Sequence, residues 1–307
     1  MSRGKRTAGR LDRQGLDKAF LSLLVLGLLL ICLPGWTQEE EEGEFKGVGI
    51  QIKLKGAWTM FAGGDIDEGT AGMYDRQAAE IVSAGFELGT NDKKPFHNGY
   101  ELTGDIVYYF TPRIGVGMGG SLIRAHQEST LLFHWPDSPY DYRLTGLPEI
   151  KVLSLRLGLF TMIPLNRLLA ISLRVGPEYY FADFHYGGST TTPYYASSII
   201  QRVEARQLGL HGGLGLEIRM NRRLAFCIEV LGRYAKISGF EGQELTYEWS
   251  GGQSTDVQDQ GTLYYFEGEE YPRLDIPSAG APGGQGAREA VLDLSGFSLQ
   301  VGLNFKF

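Results

Sequence analysis

A chain of 307 residues with a net charge of -7 excludes a nucleic-acid partner, because phosphate binding needs a basic face. Its 43 glycines and slightly negative mean hydropathy exclude a bundle of apolar membrane helices. The two cysteines, Cys32 and Cys227, exclude a disulfide-stapled fold.

The amino terminus is basic, with Arg3, Lys5, Arg6, Arg10, Arg13 and Lys18 set against Asp12 and Asp17. An apolar run from Ala19 to Leu33 follows, broken by Pro34 and Gly35. A basic start, a short apolar stretch and a polar break predict a secretory signal peptide over 1–37. The run is too short for a spanning helix, which needs about 20 residues. Cys32 follows Ile31, whereas a lipidation site wants a small residue there. Residues 38–46, which include Glu39, Glu40, Glu41 and Glu42, read as a solvated acidic leader, and 47–307 as the folded domain.

From there the pattern has period two. Val48, Ile50, Ile52, Leu54, Trp58 and Met60 alternate with Gln51, Lys53, Lys55 and Thr59. The same alternation marks 100–110, 113–124, 151–163, 168–182, 204–220 and 224–234. It is clearest at the end, where Phe297, Leu299, Val301, Leu303, Phe305 and Phe307 oppose Ser298, Gln300, Gly302, Asn304 and Lys306. Each segment is a strand with one apolar and one polar face. The last is about twice the five or six residues of an ordinary soluble strand.

The eight strands are joined by alternating long and short links. The short ones are Thr111-Pro112, Pro164–Arg167 and Asn221–Arg223, each with a turn former. Short turns gathered at one end and long loops at the other predict an all-β fold, an eight-stranded antiparallel up-and-down transmembrane β-barrel. A ring also satisfies every backbone group in lipid, which an open sheet does not. On this phase the inward face carries Lys53, Lys55, Glu101, Asp105, Arg156, Arg174, Glu178, Glu217, Arg219, Glu229, Arg233 and Lys306. Two readings exist: an ion pathway, or ion pairs plugging a lumen that eight strands leave just wide enough for side chains. The mixed signs favour the plug, since unpaired buried charges are costly.

In this architecture the chain resembles the outer-membrane protein β-barrel family of small eight-stranded bacterial barrels, over roughly 47–307. The resemblance implies a Gram-negative-type outer membrane, lipid around the barrel, and a membrane anchor or surface protein. It also implies that the last strand, with Phe297, Phe305 and Phe307, is the signal read by the barrel-assembly machinery. One departure is that loops 61–99 and 241–291 are longer than minimal family members carry.

Within 61–99, Asp75 to Ala84 has helical spacing, with Ala78, Ile81 and Val82 on one side and Asp75 as N-cap. An extra hairpin over 75–89 is the alternative. Tyr179, Tyr180, Phe181 and Phe184 read as an interfacial aromatic girdle. Of the histidines, His97, His126, His134 and His185 fall in or beside loops, and His211 points inward with Glu217 too far along the strand to orient it. No serine has a histidine at a readable spacing and neither cysteine has a ligand neighbour, so no enzyme, metal or cofactor is expected. Segment 241–275 interleaves Tyr247, Trp249, Tyr264, Tyr265, Phe266 and Tyr271 with acids, and 277–286 reads as a Pro-Gly-Ala tether. The loop is either an extracellular recognition surface or a hairpin extending the strands. A solute conduit is the competing function.

Overall fold

The structure is a computed structural model that describes residues 48–307 apart from 95, 136–140, 192–194, 251, 268–269 and 278–285. The signal peptide, the acidic leader before 47 and most of the tether lie outside the described residues. In chain order the elements are β1 (Gly49–Gly64), α1 (Asp65–Ser83), β2 (Glu87–Asp92), β3 (Asn98–Tyr109), β4 (Ile114–His126), β5 (Ser129–His134), β6 (Asp141–Pro164), β7 (Leu169–Thr191) and β8 (Tyr195–Arg219). They continue with β9 (Leu224–Tyr234), β10 (Lys236–Ile237), β11 (Glu241–Ser250), β12 (Gln253–Thr262), β13 (Tyr264–Phe266), β14 (Arg273–Asp275), β15 (Ala287–Glu289) and β16 (Leu292–Lys306).

Eight of these strands form an antiparallel ring. Pairing runs β1–β3–β4–β6–β7–β8–β9–β16 and returns from β16 to β1, where Leu54 faces Leu303. These are the eight segments expected from alternation. Their short turns share one device. Thr111 Oγ1, Asn166 Oδ1 and Asn221 Oδ1 each accept two backbone N–H groups, two and three residues on. A side-chain oxygen thus stands in for a backbone carbonyl and fixes the reversal.

At the opposite end β6, β7 and β8 run on for 24, 23 and 25 residues, well past the ring's other strands. There β5 and β2 extend the sheet beside β6, while β11 and β12 extend it beside β8. The hairpin reading of 241–262 is therefore what the chain adopts, with Tyr247 paired to Asp256. The remainder of that loop folds inward as a second sheet, ordered β14-β13-β15. We call this whole end the crown. Its core is apolar and fully packed, with Ile66, Ile150, Phe184, Phe240, Leu263, Tyr265 and Leu292 all at or near zero exposure.

Two expectations are corrected here. The helix is real but spans 65–83, so it starts ten residues before Asp75, which lies mid-helix and holds Lys93. Its N-cap is Gly64 at φ +64, with no side-chain cap and with Asp65, Asp67 and Glu68 in the first turn, where acids suit the helix dipole. Gly63, Gly64, Gly69 and Gly72 make this stretch look like a turn. In the fold Gly72 lies directly against the backbone of Pro272, an approach no side chain allows. Nor is 75–89 an added ring hairpin. β2 merely edges β5.

The second correction concerns the aromatic girdle. Tyr179 and Phe181 do face outward, their rings 5.0 Å apart. Tyr180 and Phe184 face inward and are buried, because adjacent strand residues point to opposite sides. The outward-facing aromatics on the crown side of the ring include Trp58, Tyr100, Tyr179, Phe181, Tyr234 and Phe297.

Candidate functional site

The inward face of the ring gathers its charges into one layer. Lys53 and Asp105 are register partners on β1 and β3, and Arg156 and Glu178 are partners on β6 and β7. Asp105 sits at the centre: its two oxygens take Arg156 at 2.7 Å and Arg174 at 3.1 Å, with Lys55 at 3.4 Å. Glu229 takes Lys55 at 2.7 Å and also Arg174. Glu217 receives Lys53 at 2.7 Å and Lys306 at 3.2 Å. Glu101 pairs with Arg233 at 3.1 Å. Five buried bases thus meet five buried acids, so the layer is close to neutral.

Eleven of the twelve residues expected on the inward face are brought together in this network, Lys306 among them. Arg219 lies half-buried on the same inward face at the short-turn end. Sequence reading missed the neutral groups that complete the bonding. Gln300 accepts from Arg174 at 2.9 Å, Asn304 donates to Glu217 at 3.0 Å, and Ser298 donates to Glu101 at 2.6 Å. All three lie on the inward phase of β16, which was the available signal. Small residues make the layer possible. A side chain at Gly119 or Gly213 would occupy the space of Asp105 or of Glu229 and Arg174.

Both ends of this layer are apolar. Toward the short turns Val107, Tyr109, Phe160, Met162 and Ala170 form a buried cluster, with Lys53 5.7 Å above the Phe160 ring. Toward the crown Ile123, Val152, Ala182 and Ala205 close in, all 6% exposed or less.

His211 has a carboxylate after all, though not Glu217. Its Nδ1 lies 3.5 Å from Glu178 Oε2. Ser154 and Tyr180 donate to the same carboxylate, and Ser121 is 2.8 Å from Ser154. The Ser154 hydroxyl is therefore engaged by Glu178 and does not face the imidazole as a nucleophile facing its base would. Cys227 is a buried free thiol. Among the described residues no group of three or more His, Cys, Asp or Glu side chains could hold a metal ion.

Outside the ring the outward residues Leu155, Leu157, Leu159, Val175, Leu208, Leu210, Met118, Ile106, Leu299 and Val301 are all 48–61% exposed. Phe297 and Phe307 belong to this surface at 48% and 67% exposure, with Phe305 beside them. The Phe307 N–H bonds Ile50 O at 2.9 Å, so the last residue still lies on the first strand.

No protein-family model matches the sequence, and no curated protein matches it. Solved structures do. The outer membrane protein OprG from Pseudomonas aeruginosa is similar at 14% identity and TM-score 0.37, covering 85% of this chain and 96% of that one. A major outer membrane protein from Thermus thermophilus follows at 13% identity and TM-score 0.34, covering 84% and 99%. Ail, the attachment invasion locus protein of Yersinia pestis, is similar at 11% identity and TM-score 0.29, covering 84% and 100%. The molecule's own polarity is the informative feature. A wide apolar outer surface around buried ion pairs inverts the order of a water-soluble sheet. An even-numbered antiparallel ring with that inversion is what a membrane demands of strands. The described residues form an all-β, eight-stranded antiparallel ring with an apolar outer surface and an ion-paired interior.

Proposed function

We propose that the ring spans the outer membrane as an up-and-down barrel, that it conducts nothing, and that it anchors the crown outside the cell as a surface-interaction module. One observation carries this reading: buried apolar side chains pack against the charged layer, closing in toward the crown and clustering beside Lys53 toward the short turns. Along β6 the outward apolar residues run from Leu153 to Ile163, eleven positions, matching the roughly 9–11 residues of a tilted spanning strand. The protein is non-enzymatic on this reading, since Ser154, Glu178 and His211 are buried with the serine turned to the acid.

Planar-bilayer recording on refolded protein tests the seal. Rare, small events are expected, and stable porin-sized steps overturn it. The terminal strand has its own test. Deleting Phe307, or Phe307→Asp, should lower the amount assembled by the barrel machinery without blocking export, as read by cell fractionation. Unchanged outer-membrane levels remove the role of Phe297, Phe305 and Phe307 as an assembly signal.

The conduit alternative has one observation in its favour. The β6–β7 ladder is interrupted between Arg156–Glu178 and Leu159–Val175, where Pro177 has no N–H to give. A small apolar solute would leave there toward lipid, and uptake lost in Pro177→Ala with an unchanged fold would support it.

A further inference from the structure

The main sheet ends on two edge strands, β2 beyond β5 and β12 beyond β11. An edge strand offers a row of unpaired N–H and C=O groups to any other strand, so proteins normally guard it. β2 is guarded. It has six residues, a bulge between Leu88 and Thr90, and Lys93, Lys94 and Pro95 directly after it in the sequence. β12 is not. Its ten residues hold an unbroken register with β11 and include no Lys, Arg or Pro. Gln253 to Gln258 are all exposed, Val257 at 48%.

The charge of the β11–β12 hairpin narrows what this edge can take. Residues 241–262 carry Glu241, Glu244, Glu248, Asp256 and Asp259 and no basic residue. The neighbouring β8 brings a single base, Arg202, opposite Gln243, and sets Glu204 opposite Glu241. Within the hairpin Glu244 faces Asp259. Like charges directly opposite each other weaken a sheet, and a cation on a strand beyond β12 would relieve the second pair.

We propose that β12 accepts an extended, basic segment of another protein as an added strand. The segment's main chain pairs with the open edge, and its side chains are selected by charge. Asp256 and Asp259 lie three residues apart on opposite faces, so the segment carries basic residues three apart on opposite faces. A second copy of this chain does not fit, because two such hairpins would set acids against acids. The acids therefore guard the edge against self-pairing and leave it open to a basic strand. The proposal rests on the reading of the crown as an outward surface module. Thr255→Cys, labelled on intact cells with a membrane-impermeant maleimide, tests that orientation separately. Label without peptide binding overturns this proposal alone, whereas no label overturns the outward crown as well.

Binding is measured on the full chain refolded in zwitterionic nanodiscs, by fluorescence anisotropy of the peptide Thr-Lys-Val-Thr-Lys-Val-Thr and by hydrogen exchange. The peptide should bind and slow exchange across 253–262. The same peptide with Glu for Lys should not bind. Nor should a version with every backbone amide N-methylated, which keeps the charge but has no N–H to pair. Asp256→Asn with Asp259→Asn should weaken binding about tenfold, the loss of two cross-strand ion pairs. Asp256→Lys with Asp259→Lys should instead bind the Glu peptide. The proposal is overturned if the Lys peptide does not bind wild type, if the N-methylated peptide binds as well, if protection falls on β2 rather than β12, or if the protein alone dimerises through β12.

Discussion

Along β6 the side-chain phase never changes, yet the polarity of both faces reverses at one level. Toward the short turns the strand shows Leu153, Leu155 and Leu157 outward and buries Ser154 and Arg156. Toward the crown it shows Lys151 and Glu149 outward and buries Val152 and Ile150. The neighbours reverse at the same register. Phe181 pairs with Leu153, and Asp183 with Lys151. On β4 Leu122 lies beside Leu153 and Arg124 beside Lys151. One strand therefore belongs to two solvents. In the belt, the ring between the crown and the short turns, the proposed lipid surroundings select apolar residues outside, and the interior tolerates charges only because they are paired. In the crown water outside selects Arg124, Glu149 and Lys151, linked at 2.9 and 3.2 Å, and the interior reverts to an ordinary hydrophobic core.

If the belt interior is a neutral network, removing its central acid should do the most damage. Asp105→Ala takes the close acid from Arg156 and one of two acids from Lys55 and Arg174, leaving an excess positive charge in a buried site, and should cost about 3–5 kcal/mol, the penalty of an uncompensated buried charge. Urea titration of protein refolded into vesicles measures it. Crown stability, read by hydrogen exchange at Phe184 and Ile150, should change much less. Equal loss in both regions would mean that they unfold as one unit.

The outward faces offer the next test. Leu157→Arg sets a charge on the apolar surface of the belt and should cost about 2–4 kcal/mol in lipid. Lys151→Leu, six residues along the same face of the same strand, should stay within about 0.5 kcal/mol. If the two substitutions have similar cost, the boundary between belt and crown does not lie between Lys151 and Leu153. Arg124→Leu, across the strand pair, should behave like Lys151→Leu.

The smallest expected effect is a pH dependence confined to the crown. Glu244 on β11 is half-buried against Gln201, whose amide donates to it at 2.8 Å. Burial raises its carboxyl above the ordinary 4.5. The folded hairpin therefore holds that proton more tightly than the unfolded chain does. Its contribution is fully present below pH 4.5 and is lost as pH rises through the raised value. Exchange protection of 241–262 should fall modestly over that rise, and Glu244→Gln should flatten the profile. A profile that is the same in the variant assigns the dependence elsewhere.

Strand identity, phase and the inward charges could be read from the chain because they depend on period-two alternation, which is local. Asp105 is recognisable as inward because it alternates with the outward Ile106 and Tyr108. What it touches is not, since Arg156 and Arg174 lie 51 and 69 residues away. Pairing across a ring depends on register and rotamer, which no short window encodes. The crown shows the same limit more sharply. α1 begins among glycines that argue against a helix, and it forms because Gly72 lets it lie on Pro272 from a segment two hundred residues later. Tyr74, Tyr186 and Gly146 pack together in the crown from three separate elements, and nothing in their spacing brings them together. Transfer free energy acts residue by residue, so which strand face is buried and which is exposed was already legible in the alternation of Leu153, Ser154, Leu155 and Arg156. Which charges neutralise each other, and which strand edge is left open, are properties of long-range contacts and exist only once the ring and crown have folded.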